Sequence, residues 1–298
     1  MAREIIDIHS HCFRGAEHAG LIRADLEAAR RLGLQHLVVV GLINTKLDSE
    51  EMWSFIPRYV ENHGDPLFHE ADNLLSLAET LRPTLLPFVD TRHLWGEPER
   101  VLTELFPRGF RGVKGIYLGD ERNDLGVRSA PEAFGITLEE YHNREWGIFA
   151  FAHARDLPLV YHMDARTYGD VMRALLDDFP GLRVDFAHMG ISRKAFRKIL
   201  DRYPNVYTDF ASMLPLIQKD PESYRQFILD YPDRVCFGTD AFLYTLENIP
   251  KYIRMVEGLR LPEEVEEKVF SKNPRRFLGG AREVRGEPPS APKVSCRD

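Results

Sequence analysis

The chain has 298 residues, with 46 acidic against 39 basic side chains for a net charge of −7, and 44% hydrophobic residues, the balance of an ordinary globular protein. The acidic excess gives no electrostatic footprint for DNA or RNA, and no apolar run approaches the roughly 20 residues of a membrane span. Cys12, Cys236 and Cys296, widely spaced and odd in number, argue against a disulfide framework or a cysteine-based zinc site. The opening MAREIIDIHSHC runs straight into a strand-like pattern without the basic and apolar stretches of a secretory leader, so a cytoplasmic protein is expected.

Eight short runs, rich in β-branched or aromatic residues and bounded by Gly, Pro, Asp or Asn, predict strands over 5–9, 34–41, 84–90, 110–117, 157–162, 182–188, 205–210 and 234–240. Helical patterns fall between them at 24–32, 70–81, 98–106, 138–155, 168–179, 192–203 and 221–230, with Ser192 as an N-cap, and a last one follows at 262–270. Such alternation predicts right-handed βαβ units around a parallel sheet. Eight units in about 280 residues are the size and count of an α/β fold of the (β/α)8 TIM barrel type. The rival, a doubly wound open sheet, usually has fewer strands, and neither GxGxxG after the first strand nor GxxxxGK[ST] is present. One barrel domain is expected over 1–280. The Pro-rich, charged tail 281–298 is expected to be disordered. Two long connections, 42–68 with Trp53, Phe55 and Tyr59, and the Gly/Asp/Arg-rich 118–137, are expected to lie over the barrel mouth as substrate lids.

Polar residues recur where the strand runs end: His9, Asp90, His162, His188, Asp209 and Asp240. In a barrel these ends converge on one mouth, where catalytic groups sit. His9 and His11 are two apart, so on a regular strand they share a face and present the paired neutral imidazoles that zinc or a divalent transition metal accepts. Alone, HxH is better explained by two hydrogen-bonded core histidines. It gains weight from His162, His188 and Asp240, which follow apolar runs. An ionised carboxylate at the end of a buried strand is costly unless it is paired or binds a cation. Three histidines and an aspartate would complete a metal shell with an open position, leaving the fourth histidine for proton transfer.

The pieces DIHSH, GFRGVKG, LPLVYH, RVDFAHMG, NVYTDFA, RVCFGTDA and NPRRFLG run in order from Asp7 to Gly279. With them the sequence resembles the metal-dependent amidohydrolase superfamily, most closely its amidohydrolase-2 branch, related to aminocarboxymuconate-semialdehyde decarboxylase. The resemblance implies a barrel with a metal at its mouth. It makes His9, His11, His162 and Asp240 the ligands of a one-metal pattern and His188 the acid/base histidine. Lys114 corresponds in some two-metal relatives to a carboxylated lysine bridging both ions, which leaves room for a second ion. Its other readings are an inward lysine paired with Asp240 or Asp7, or a contact for an anionic substrate. Arg92, beside His93 after the third strand, suits a substrate carboxylate, which an arginine can bind bidentately, against the alternative of a solvated loop arginine. Tyr117 would donate to a substrate oxygen, Asp209 would orient a ligand histidine as its hydrogen-bond partner, and Asp7 would act similarly. Cys12 points to the other side of the pleat, into core.

These readings favour a hydrolase using metal-activated water on an amide, ester or lactone bond of a small, carboxylate-bearing molecule. Zn2+ is the expected ion, with Mn2+ or Fe2+ as alternatives, and His188 or Asp240 would take the proton. Non-oxidative decarboxylation of a small aromatic or enoic acid is the second hypothesis, and a metal-free binding or scaffold barrel the third. The charge disfavours a barrel nuclease. No nucleic-acid or membrane partner is expected, and a homodimer is one expected assembly.

Overall fold

A computed structural model describes residues 3–41, 70–91, 97–126 and 128–279. The first expected lid (42–68), Arg92 and His93, and the tail 281–298 lie outside the described residues. Eight strands pair in parallel in the order β7-β6-β5-β4-β3-β2-β1-β8. They are β1 (Ile5–His11), β2 (Leu34–Val40), β3 (Leu85–Asp90), β4 (Gly112–Ile116), β5 (Leu159–His162), β6 (Val184–Phe186), β7 (Val206–Thr208) and β8 (Ala241–Phe242). The two ends of that order are joined by the segment 234–240. The Thr208 amide donates to the Arg234 carbonyl, the Cys236 amide to the Thr208 carbonyl, and the Ile8 amide to the Phe237 carbonyl. The sheet therefore closes into the expected TIM barrel.

The eighth strand is displaced from its expected place. Regular pairing with Ser10 and His11 of β1 occurs at Ala241–Phe242, whereas 234–240 contributes one bridge, Thr208 to Val235. Gly238 and Asp240 explain the interruption. A Cβ on Gly238 would stand 2.8 Å from the Asp209 Cβ, so the backbone passes too close for any side chain, and Asp240 turns into the left-handed region at φ 59°.

Two apolar layers explain why the strand sequences read as nearly continuous hydrophobic runs. Ile6, Ile8, Val38, Val40, Leu86, Phe88, Val160, Tyr207 and Cys236 pack together inside the barrel. Their alternates, among them Val39, Val89, Val113, Leu159, Val184 and Val206, pack outward against the helices. The helices form at the expected places with shifts of a few residues: Ala19–Arg31, Glu70–Thr80, Pro98–Leu105, Leu138–Ala154, Ala165–Asp178, Arg193–Leu200 and Pro221–Asp230. Ser192 does cap its helix, accepting from the Ala195 amide, and a capping box of Thr137 and Glu140 starts Leu138–Ala154. The pattern at 262–270 divides into Glu263–Glu267 and a π-helical turn, Lys268–Lys272. Additional helices appear at Leu214–Lys219, Asn248–Gly258 and Asn273–Phe277. The second expected lid is partly structured, since it contains the helix Ala130–Phe134. Among the described residues no helix is long and apolar enough to cross a membrane.

Candidate metal centre

The site begins with a deformation of β1. Ile6 and Ile8 face the barrel interior, so unbroken alternation would carry His9 and His11 outward. Pairing with β2 is irregular between Asp7 and Ser10, and Asp7 is the residue that organises the break. Its Oδ1 accepts from the His9 amide at 3.0 Å and the Thr239 amide at 3.3 Å, and its Oδ2 accepts from the Thr239 hydroxyl at 2.6 Å. The strand is thus clamped to the approach to β8, and both imidazoles turn to the mouth. Burial pushes the Asp7 carboxyl up to about 7 despite these donors.

Four rings then stand in a row. Centroids are 5.2 Å apart for His11 and His9, 5.3 Å for His9 and His188, and 5.1 Å for His188 and His162. His9 is fixed by Asp209, whose Oδ2 lies 2.8 Å from Nδ1, while Asp209 Oδ1 accepts from the His188 amide at 2.8 Å and the Ala211 amide at 3.1 Å. Burial opposes ionisation of Asp209, but the His9 ring and these donors outweigh it and hold the carboxyl down at about 2. Asp240 places Oδ1 2.8 Å from His11 Nε2 and 3.4 Å from His9 Nε2, and its Oδ2 accepts from the Ser212 hydroxyl. Burial opposes its charge too, and the two imidazoles still hold its carboxyl well below the usual range. His188 directs Nδ1 at the Ala211 carbonyl, 2.8 Å away. Burial lowers His11, and brings His188 to about 4, so both are neutral near pH 7 with lone pairs to offer.

The loops that carry these groups are strained. His188, Met189, Ile191, Ser212 and Asp240 all have positive φ, at a cost of about 1–3 kcal/mol each for residues other than glycine. Such strain is stored where side chains must be aimed, and here it collects after β6, β7 and before β8.

Two donor groups result among the described residues, His9–His11–Asp240 and His9–His188–Asp209, each with its donor atoms within 4.8 Å of one another. His9 Nε2 and His11 Nδ1 are buried without a hydrogen-bond partner. Tetrahedral zinc with ligands at about 2.0–2.1 Å has donor-to-donor edges of about 3.3 Å, close to the 3.4 Å between His9 Nε2 and Asp240 Oδ1. The residues present therefore fit a divalent ion. His162 stands one ring further out, beside His188 and outside both donor groups. Its Nε2 lies 3.2 and 3.1 Å from the two carboxylate oxygens of Asp124.

Lys114 is buried on β4, opposite Asp90 in the register, with its ammonium donating to the Gly115 carbonyl at 3.1 Å. Its charge acts on His11 and on Asp185. Tyr117 requires a correction. Its ring packs outside the barrel against Tyr141, His142 and Tyr168, away from the mouth where a substrate oxygen would lie. Cys12 is buried in the same outer layer.

Four participants were not singled out in the sequence. Ser212 and the Ala211 carbonyl lie in an irregular turn, where residue type carries little signal. Asp124 sits among Asp120 and Glu121, with nothing to rank one acid above another. Asp185 could have been noticed as a lone carboxyl in the apolar run RVDFAH. It is fully buried beside Asp209, and burial and the charge of Asp209 raise its carboxyl well above the usual range.

The sequence profile of the amidohydrolase family, type 2, matches residues 96–280, more than half of the chain. The chain belongs to the amidohydrolase-2 family. Membership places it among metal-dependent hydrolases and decarboxylases. No curated protein sequence matches it. Among solved structures it is similar to a Tim-barrel protein from Bordetella bronchiseptica, with TM-score 0.61 and 17% identity over 94% of this chain and 99% of that one. A Pseudomonas putida protein proposed to be a 2-pyrone-4,6-dicarboxylic acid hydrolase gives TM-score 0.58 and 18% identity, over 94% and 98% of the two chains. A 5-carboxyvanillate decarboxylase from Novosphingobium aromaticivorans, solved with manganese and 3-methoxy-4-hydroxy-5-nitrobenzoic acid, gives 0.55 and 13%, over 93% and 97%. At these identities the likeness concerns the fold.

Proposed function

We propose that this amidohydrolase-2 member hydrolyses an amide, ester or lactone bond of a small, carboxylate-bearing molecule, with His9, His11, His162 and Asp240 holding one divalent ion. The observation that carries the reading is the buried, unpartnered Nε2 of His9 facing Asp240 beside His11. A metal-free binding barrel would leave that nitrogen desolvated and unpaired, at a cost of about 1–3 kcal/mol. The histidine-rich donor set favours Zn2+. Such an ion supplies Lewis acidity, polarising a substrate carbonyl and making a water acidic enough to lose its proton near neutral pH.

The chain's own groups divide the remaining work. The Ala211 carbonyl fixes Nδ1 of His188 as the protonated nitrogen, which leaves Nε2 basic. Burial keeps His188 neutral at pH 7, so it can accept a proton and return it to a leaving group. Asp240, its Oδ2 held by Ser212, stays ionised and shares the proton-accepting role. Arg92 is the proposed carboxylate contact, and Lys114 adds positive potential beneath the mouth.

Decarboxylation of a small aromatic acid is the second reading. It is favoured by the likeness to the carboxyvanillate decarboxylase, and by the same His188, which after accepting a proton could deliver it to carbon. Protein loaded with Zn2+ or Mn2+ and offered carboxylated lactones, esters and amides beside aromatic acids separates the two. Hydrolysis without CO2 is expected, and its loss in His9→Ala. CO2 release would favour the second reading, and metal binding unaffected by His9→Ala would sink both.

A further inference from the structure

We propose that Asp124 is the positioning carboxylate of His162, so that the loop after β4 must be seated for the metal centre to be complete. This rests on the reading of His162 as a ligand given above. Metal-binding imidazoles nearly always give their second ring nitrogen to a carboxylate or carbonyl, which fixes the tautomer and the plane of the ring. Each inner ring of the row follows that rule: His9 through Nδ1 to Asp209, and His188 through Nδ1 to the Ala211 carbonyl. His162 follows it with the other nitrogen, placing Nε2 against both oxygens of Asp124. Nδ1 is then the nitrogen left to carry the lone pair.

Asp124 differs from the other two acceptors in what holds it. Asp209 and Ala211 directly follow β7, whereas Asp124 is on the connection between β4 and the helix Ala130–Phe134. Tyr168, on the helix Ala165–Asp178 after β5, fastens that connection. Its oxygen accepts from the Asp120 amide at 3.3 Å, and its hydroxyl donates to the Asp120 carbonyl or carboxylate at 3.2 or 3.1 Å. Glu121 accepts from the Ser129 amide at 3.2 Å, and the Ala130 amide donates to the Leu118 carbonyl at 2.8 Å, closing the loop's base. So fastened, Asp124 keeps only 11% of its side chain exposed while it meets His162. Loop seating and ion binding become linked, and linkage is reciprocal: each must favour the other.

The test measures Zn2+ affinity by competition with a chelator, together with the Co2+ absorption spectrum and amide hydrogen exchange. Asp124→Ala should weaken Zn2+ binding tenfold or more and alter the Co2+ spectrum, with an unchanged thermal melt of the metal-free protein. Asp124→Asn, which keeps an acceptor oxygen, should recover part of the loss. Zn2+ should slow exchange at the Asp120 and Ser129 amides in the unsubstituted protein and leave it unchanged in Asp124→Ala. Unchanged or tighter Zn2+ binding in Asp124→Ala would overturn the proposal, the tighter case showing that Asp124 competes with the ion for His162. If His9→Ala abolishes binding while His162→Ala and Asp124→Ala do not weaken it, the metal centre survives and this proposal fails. If His9→Ala leaves binding intact, the metal reading itself fails and takes this one with it.

Discussion

The two ends of the histidine row are built differently. At the β1 end, His9 and His11 are packed among Asp7, Asp209 and Asp240, groups from strands and their immediate ends, and Asp209 alone ties together His9, His188 and Ala211. At the β5 end, His162 depends on a carboxylate from a long connection held by a tyrosine hydroxyl. One side of the mouth is therefore fixed by the barrel itself, and the other is completed by a loop. Precise aim comes from rigid elements, while a loop allows substrate access and variation.

The contrast is broken most severely at its rigid end. His9→Ala should abolish stoichiometric Zn2+ binding, measured by elemental analysis after dialysis, and reduce turnover below detection. Asp209→Asn should come next. It weakens the anchor of His9 and disturbs the backbone at His188 and Ala211 together, so a loss near the upper end of 10–100-fold in Zn2+ affinity is expected. If Asp209→Asn cost no more than Asp124→Asn, the rigid end would have no energetic advantage and the contrast would be lost.

The sequence made the fold legible because the signal was repeated: eight apolar runs, each ended by a turn residue, and polar groups at their C-terminal ends. The mouth was legible for the same reason, as His9, His188, Asp209 and Asp240 each end or closely follow a strand run. What escaped depended on parity and on loop conformation. Lys114 and Tyr117 are three residues apart in the expected fourth strand run, and a period of two puts them on opposite faces. With Lys114 buried in the barrel, Tyr117 had to pack outward with Val113. In β1 the expected shared face of His9 and His11 is met through a break that alternation does not foresee, since the Asp7 clamp turns both from the parity set by Ile6 and Ile8. Asp124 was beyond reach because its partner is 38 residues away and its loop offers several equivalent acids.

At the loop-completed end a smaller perturbation sharpens the contrast. Tyr168→Phe removes the hydroxyl that fastens Asp120 and leaves Asp124 itself in place. Zn2+ affinity should fall by only a few-fold, and in the Asp124→Ala background the same change should add nothing, because the two act through one link. Additive losses in this double-mutant cycle would mean that Tyr168 supports the barrel rather than the loop.

The smallest effect on the metal centre is expected from Glu145, which lies outside the row but braces the same side. Its neighbour Arg144 donates to the Thr91 carbonyl at 2.6 Å, just past the end of β3, and pairs with the Glu145 carboxylate. Burial nevertheless pushes the Glu145 carboxyl from 4.5 up to about 7, outweighing Arg144. The folded protein therefore holds this proton more tightly than the unfolded chain does. The resulting stabilisation is complete below the unfolded value and is lost as pH rises through about 7. A shift of this size corresponds to at most about 3 kcal/mol between pH 4 and pH 8. Glu145→Gln should leave Zn2+ affinity unchanged and remove this slope, so that denaturant melts show wild type losing stability relative to the variant as pH rises from 5 to 7. A constant difference between the two across that range would show that Glu145 is ionised in the fold, with Arg144 outweighing burial.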